Sequence, residues 1–593
     1  MIPSFKTAFA ALLLSAATVA PAIAQQPGSI LEKDYDISRK AKRGYLGSVD
    51  RLDNGNFDMT YVLPSSARKV KYEIYHFDKD ANLINTERDE IELERARLRW
   101  KWFTYKGDIY LTNTLSAGAN LTGQLIFRKK IVTAKWNWWT GRYDRNVKMT
   151  DKIKPKDEDG KSYTHIGGSY EVERDSSVLV LGMPRSLAKA GNAYQAYDLI
   201  KCDNQGNPAV LQRLTFQNAM QPVFSGPLQD DQSEAIPNDD QPRDWILIMA
   251  PSKILSTKDN RGEPTAFQYL RISPEGTVKE NFAFSAPAAG YRILNAYEKN
   301  GAVIVYGMSV GKDGKYVDQS LSAQIVPTTS ATAGEQAAGN TDKGKSFGGI
   351  TAAVNAFSGQ DDLGMTQDQV DGILDEKKYT NFAFARFEGG KMAYGALTPM
   401  DEVNGKAVAP PDMKRPLKFD GNKFVVNNLQ ILSDGSMVLS VQDFKKIKRK
   451  DEDVRIYKGM YLMHFSGQGQ LAHNYTVALD QRAKSGFFNR GLSSDMFPAT
   501  SYIYESPDQA RVNWVMHMAK SVDKDDAMPL YTIEYGTINP GAGQASDFKT
   551  LGEDEKRTYY LYPEHNTLVN GNYIYYFSET SRGDKMLISR MNL

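Results

Sequence analysis

From residue 53 onward one rhythm of polar and apolar positions recurs: a turn of Gly, Asn or Asp, then a run rich in β-branched and aromatic residues. The first four copies open at Asp53-Asn54-Gly55, Lys106-Gly107-Asp108, Arg174-Asp175-Ser176 and Pro242-Arg243-Asp244. The next four open at Lys299-Asn300-Gly301, Ser433-Asp434-Gly435, Pro507-Asp508-Gln509 and Val569-Asn570-Gly571. Asn-Gly and Asp-Gly accept positive φ at both central positions of a type I′ turn, so each copy predicts a hairpin turn feeding a strand. The runs that follow, such as Val178-Leu179-Val180-Leu181 and Ala302-Val303-Ile304-Val305-Tyr306, predict strands covered on both faces.

A second motif follows several copies: an aromatic-containing strand, a tight turn and another short strand. It spans Tyr72 to Leu83, Tyr269 to Val278, Phe384 to Met392 and Tyr461 to Leu471. The two motifs together give roughly four strands per unit, the number in a propeller blade. In this the chain resembles the β-propeller superfamily over most of its length. The resemblance rests on the pattern, since regular Trp-Asp endings, kelch Gly-Gly pairs and a regular Asp box are missing. It implies an all-β fold: a propeller of seven to eight four-stranded blades, with eight favoured. Tandem β-sandwiches share the short-strand signature and are the alternative. The chain finishes on a strand pattern, Lys585 to Leu593, and Ser29-Ile30-Leu31 or Tyr35-Asp36-Ile37 is expected to complete that last sheet, closing the ring.

The first residues break the rhythm. Lys6, the apolar run Ala8 to Leu14 and the A-x-A site Ala22-Ile23-Ala24 predict a signal peptide over 1–24, leaving 25–593 as one propeller domain in the periplasm or outside the cell. The run is too short to span a bilayer, and no later segment reaches that length, so no membrane span is expected. From Pro327 to Lys378 the chain is rich in Ala, Gly, Ser and Thr and poor in aromatics, which predicts a flexible insertion at 327–378. Polar loops are also expected to project at Asp151–Lys161 and Gln229–Gln241.

Charge excludes more than it proposes. Lys+Arg number 73 against 71 Asp+Glu, which lacks the basic footprint of a nucleic-acid binder. The single Cys202 excludes an intramolecular disulfide or a thiolate-rich metal site and is expected to be buried. Of the six histidines, His76, His464 and His517 sit in apolar strands, where a hydrogen-bonded structural role is expected. No HExxH or GxSxG occurs. Gly339 to Ser346 matches a phosphate-loop spelling without the strand that should precede it. Asp78-Lys79-Asp80-Ala81-Asn82 has alternate oxygen ligands, but Leu83 stands where a calcium loop needs Gly, so a plain hairpin turn is expected. The run Lys445 to Lys450, followed by Asp451-Glu452-Asp453, reads as a solvated hairpin tip. Neither a metal site nor a cofactor is expected.

The sharpest local anomaly is Trp136-Asn137-Trp138-Trp139 with Arg142 and Tyr143. In an extended strand Trp136 and Trp138 share one face, and flat rings bury much area at low entropic cost. Trp136, Trp138, Trp139, Arg142 and Tyr143 are therefore the candidate ligand-binding residues, with inter-blade packing as the competing reading. The functional expectation is a non-catalytic binding or scaffold protein with a protein or saccharide partner. The alternative is a polysaccharide-acting enzyme with carboxylates at the channel mouth.

Overall fold

The structure, a computed structural model, describes residues 30–592 outside 53, 67–68, 93–101, 104–107, 120–122, 138–141, 150–152, 173–174, 187–193, 231–242, 253–264, 289, 310–378, 422, 449–452, 480–496, 523–528, 552–566, 571–572 and 580–584. The proposed signal peptide, the insertion at 327–378, the phosphate-loop spelling and His565 lie outside the described residues.

The described residues form eight antiparallel sheets built on four strands each. In chain order the first seven span Tyr45–Glu92, Trp102–Met149, Tyr163–Thr215, Met220–Ala286, Arg292–Pro399, Phe424–Val477 and Thr500–Thr550. The eighth takes three strands from Thr567–Asn592 and a fourth from Ile30–Asp36, which runs antiparallel to Lys585–Asn592 with Ile30 opposite Met591. The two ends of the described chain therefore share one sheet, as the strand pattern at both ends predicts.

All eight turn-and-run copies lead into the second strand of a sheet, and the strand-turn-strand motifs make the third and fourth. Position explains the composition. A second strand is paired on both sides and covered on both faces, so Ser177–Pro184 and Ala302–Ser309 are buried at every residue. The fourth strand of the fifth sheet lies at the sheet edge, and Lys391–Pro399 largely alternates exposed and half-buried positions.

The turns correct one detail. Asn300-Gly301 and Gly389-Gly390 do carry two consecutive positive φ values, as a type I′ turn requires. Most of the others are five-residue loops with a single left-handed residue in fourth place. In Leu432 to Ser436 the N–H of Gly435, φ 81°, donates to Leu432 O at 2.9 Å. The loops at Asp78, Asp203, Ser273 and Ser466 repeat this arrangement, and the Ser506 loop is one residue longer, closing on Arg511 O. Such a loop adds one bulged residue, and its extra twist suits small, strongly twisted sheets.

Packing runs from the second sheet through to the eighth and from the eighth to the first. Trp245 and Trp514, on the second strands of the fourth and seventh sheets, are fully buried and donate through Nε1 to Ser225 and Ser501 on the adjoining first strands, at 2.9 and 2.8 Å. Cys202 is buried in the cluster joining the second and third sheets, beside Val178 and Ile200. Further clusters join the third to the fourth, the fourth to the fifth, and so on to the eighth. One more joins the eighth to the first, where Phe57 and Phe77 meet Tyr575 and Phe577. Both faces of the third to eighth sheets are thus used, whereas a sandwich buries one. Side chains also donate across the junctions into turn carbonyls: Tyr170 into Arg243 at 2.7 Å, Lys201 into Pro274 at 3.3 Å and Lys299 into Ile431 at 2.6 Å.

The two shorter loops are partly folded in. Ile153 forms a bridge with Phe127 and Asp157 is buried, so the stretch after Asp151 lies against the second and third sheets. Gln229–Asp230 makes a short parallel strand beside Tyr297–Glu298. Lys445 to Lys448 pair in register with Asp453 to Ile456, Lys448 opposite Asp453, as a hairpin should. Among the described residues no helix is long and apolar enough to cross a membrane.

Candidate functional site

Side by side at one end of the fifth and sixth sheets stand two of the predicted turns. The type I′ turn Lys299-Asn300-Gly301-Ala302 joins the first two strands of the fifth sheet. The five-residue loop Leu432 to Ser436 does the same in the sixth. Between them opens a cleft of about 430 Å³, walled also by Arg386 and Glu388 from the third strand of the fifth sheet.

Each charged group here is placed by a specific contact. Lys299 Nζ donates to Ile431 O at 2.6 Å and stands 3.8 Å from Glu505 Oε2. Glu505 comes from the seventh sheet and accepts from Ser433 N at 2.9 Å and Ser433 Oγ at 2.6 Å, which holds the loop. Asp434 Oδ1 accepts from Ser436 N at 2.8 Å. Burial opposes ionisation of Asp434, but the hydrogen bonds from Ser436 prevail and hold its carboxyl below the usual range. Arg386 Nε donates to Glu388 Oε1 at 2.6 Å, and a side chain started on Gly435 would come within 3.4 Å of Arg386 Nη1. Glycine at 435 therefore serves two ends: it accepts the left-handed φ and leaves the guanidinium an open wall opposite. Beside Arg386, burial raises the Tyr394 phenol while the guanidinium opposes that rise.

The residues expected to bind a ligand lie elsewhere. Trp136 pairs with Tyr143 and Asn137 with Arg142 at one hairpin end of the second sheet. Trp138 and Trp139 lie outside the described residues. Backbone register thus brings Trp136, Arg142 and Tyr143 together, far in sequence from the cleft. The Asp78 loop is a hairpin turn, as expected, and its oxygens face the protein's own cations. Lys33 Nζ donates to Asp80 O and to Asn82 Oδ1, both at 2.6 Å, and Arg590 meets Asp80 Oδ1 at 2.6 Å.

The histidines divide. His76 Nδ1 lies 2.7 Å from Asp58, the structural role expected of it. His464 and His473 stack across neighbouring strands at 6.2 Å, yet neither ring nitrogen of buried His464 has a hydrogen-bond partner. Burial lowers His165 to about 4 and His517 to about 3, so both are neutral at physiological pH. His517 packs on Tyr502 at 4.6 Å and Tyr576 at 5.8 Å, and its Nε2, Tyr504 OH and Tyr576 OH are buried without protein partners. Burial lifts the Asp443 carboxyl to about 6, although Lys458 and the N–H of Gly459 oppose the rise. Among the described residues no group of three or more His, Cys, Asp or Glu is placed to hold a metal ion.

No family model and no curated protein matches the chain in sequence. Solved structures do match in shape. A Pseudomonas brassicacearum lignostilbene dioxygenase aligns over 96% of this chain and 93% of its own, at 8% identity and a TM-score of 0.26. The Synechocystis apocarotenoid oxygenase covers 96% and 94%, at 7% and 0.25. The β-propeller domain of the Trilobed protease from Pyrococcus furiosus, described as having an open velcro topology, covers 84% and 96%, at 8% and 0.22. The expectation of a non-catalytic scaffold is corrected by these findings: two of the structures that align over most of both chains are oxygenases. A likeness at this level transfers no chemistry from those chains to this one.

Proposed function

We propose that this chain is a single eight-bladed β-propeller over 25–593, exported by the segment 1–24, that takes a small polar molecule in the cleft between its fifth and sixth sheets. Support for the ring comes from sheet-to-sheet packing that runs from the second sheet to the eighth and returns from the eighth to the first. First strands also touch between the third and fourth, fourth and fifth, sixth and seventh, and eighth and first sheets, as they do around a propeller axis. Propellers place function on loops held by a rigid frame, and the cleft is made of two such loops.

One observation carries the ligand reading: Arg386 presents its guanidinium toward Gly435 in a cleft of about 430 Å³, its Nε engaged by Glu388 and the Tyr394 phenol beside it. A guanidinium with donors to spare recognises carboxylate or other planar oxygen acceptors. Screening a library of small polar metabolites by ligand-observed NMR, against wild type and Arg386→Gln, tests it. Mass spectrometry of the same mixtures reads any turnover. Hits that vanish in Arg386→Gln support the reading, and hits that bind both proteins equally refute it. The hairpin end carrying Trp136, Arg142 and Tyr143 is a separate candidate contact surface, supported by backbone register alone.

A further inference from the structure

Which molecules the cleft accepts follows from the way its charges cancel. Two cations, Lys299 and Arg386, and two carboxylates, Glu388 and Asp434, line it. They do not stand equally open. Lys299 is drawn to Ile431 O and Glu505, and Glu388 to Arg386 Nε. What remains toward the cleft is the terminal fork of Arg386 on one wall and the ionised Asp434 beside Gly435 on the other. A multiply charged anion such as phosphate would meet two carboxylates, and a simple cation would meet two positive groups. A molecule with both charges, a few bonds apart, satisfies both walls.

We propose that the cleft binds a small zwitterion of the amino-acid class, a free α-amino acid or dipeptide, with its carboxylate on Arg386 and its ammonium on Asp434. This rests on the reading of the cleft as a ligand site. Charge-assisted hydrogen bonds at both ends supply the recognition. Gly435 is part of the specificity, because a side chain there would start 3.4 Å from Arg386 Nη1.

Calorimetry with glycine, L-alanine and glycylglycine, each beside its N-acetyl and amide counterpart, tests the assignment. At least one parent zwitterion should bind wild type about 10- to 100-fold more tightly than either blocked form, the effect of losing one charge-assisted bond. Arg386→Gln should weaken the zwitterion by a similar factor and leave the amide nearly unchanged. Asp434→Asn, which keeps the oxygen that caps Ser436, should weaken the zwitterion and leave the N-acetyl form nearly unchanged. Thermal unfolding of both variants checks that the loop persists. Blocked forms that bind as tightly as the parents overturn the zwitterion assignment while the cleft stands as a site. If no probe binds and the library hits are also insensitive to Arg386→Gln, the cleft reading falls with it.

Discussion

Arg590 Nη1 lies 2.6 Å from Asp80 Oδ1, joining the last strand of the eighth sheet to a turn of the first across 510 residues of chain. Arg590 is 3% exposed, donates also to Lys79 O at 3.2 Å and lies 4.3 Å over the ring of Tyr573. Tyr575 donates to that same Lys79 carbonyl. Asp80→Ala leaves a buried guanidinium without its carboxylate and should cost about 1–3 kcal/mol, below a fully buried pair because Asp80 is half exposed. Denaturant unfolding measures it, and an unchanged midpoint would mean that this junction contributes nothing.

Acid should destabilise the protein through two neutral histidines. His165 and His517 titrate near 4 and 3 in the fold, against about 6.5 in an unfolded chain. Between those values the unfolded state binds the extra protons. Their contribution is therefore complete above about pH 6.5 and is lost as pH falls toward 4 and then 3, at up to about 1.4 kcal/mol per pH unit for each. Melting temperature against pH should bend downward below 6.5, and His517→Gln should flatten part of that slope.

Asp443 has the opposite sign. Its carboxyl is raised to about 6, so the fold holds a proton there that the unfolded chain releases near 4. Stability from this residue is present at low pH and lost as pH rises through 6. Asp443→Asn keeps an oxygen for the N–H of Gly459, now 2.7 Å from Oδ1. The variant should gain about 1–3 kcal/mol at pH 8 and little at pH 4, as equilibrium denaturation at the two pH values would show.

Buried phenols offer a paired comparison. Tyr291 donates to Val305 O at 2.6 Å, so Tyr291→Phe should cost about 1 kcal/mol by leaving that group unmade. Tyr504 and Tyr576 have buried hydroxyls without a protein partner, so Tyr504→Phe and Tyr576→Phe should be neutral or raise the melting temperature. A clear loss in either would reveal a bound water or other polar molecule between the seventh and eighth sheets.

The architecture was unusually legible because second strands, covered on both faces, concentrate Val, Ile and Trp behind a turn signal that local chemistry demands. Val178 to Leu181 and Trp245 to Ile248 could be recognised without knowing their neighbours. The turn type was less legible: Asp434-Gly435 reads like Asn300-Gly301, yet only the latter takes two left-handed residues. The cleft is made of residues the repeat had already singled out, Lys299 to Ala302, Arg386 with Glu388, and Ser433 to Gly435. Each read correctly as a piece of hairpin. What local pattern cannot convey is that turns 130 or so residues apart stand side by side, as the Lys299–Ile431 contact, 132 residues apart, shows. The tryptophan-rich hairpin drew attention through composition, which marks packing and binding alike.

The seam that Arg590 and the strand Ile30–Asp36 complete also sets an order of events during synthesis. Neighbouring sheets can find each other early, over separations such as the 73 residues between Tyr170 and Arg243. Joining the last sheet to the first must wait for residues near 590, and the longer loop costs about 2 kcal/mol more in closure entropy. Until then Phe57 and Phe77 have no Tyr575 or Phe577 to cover them. The nascent chain thus carries an open aromatic face for almost its whole translation, the surface a chaperone would be needed to shield.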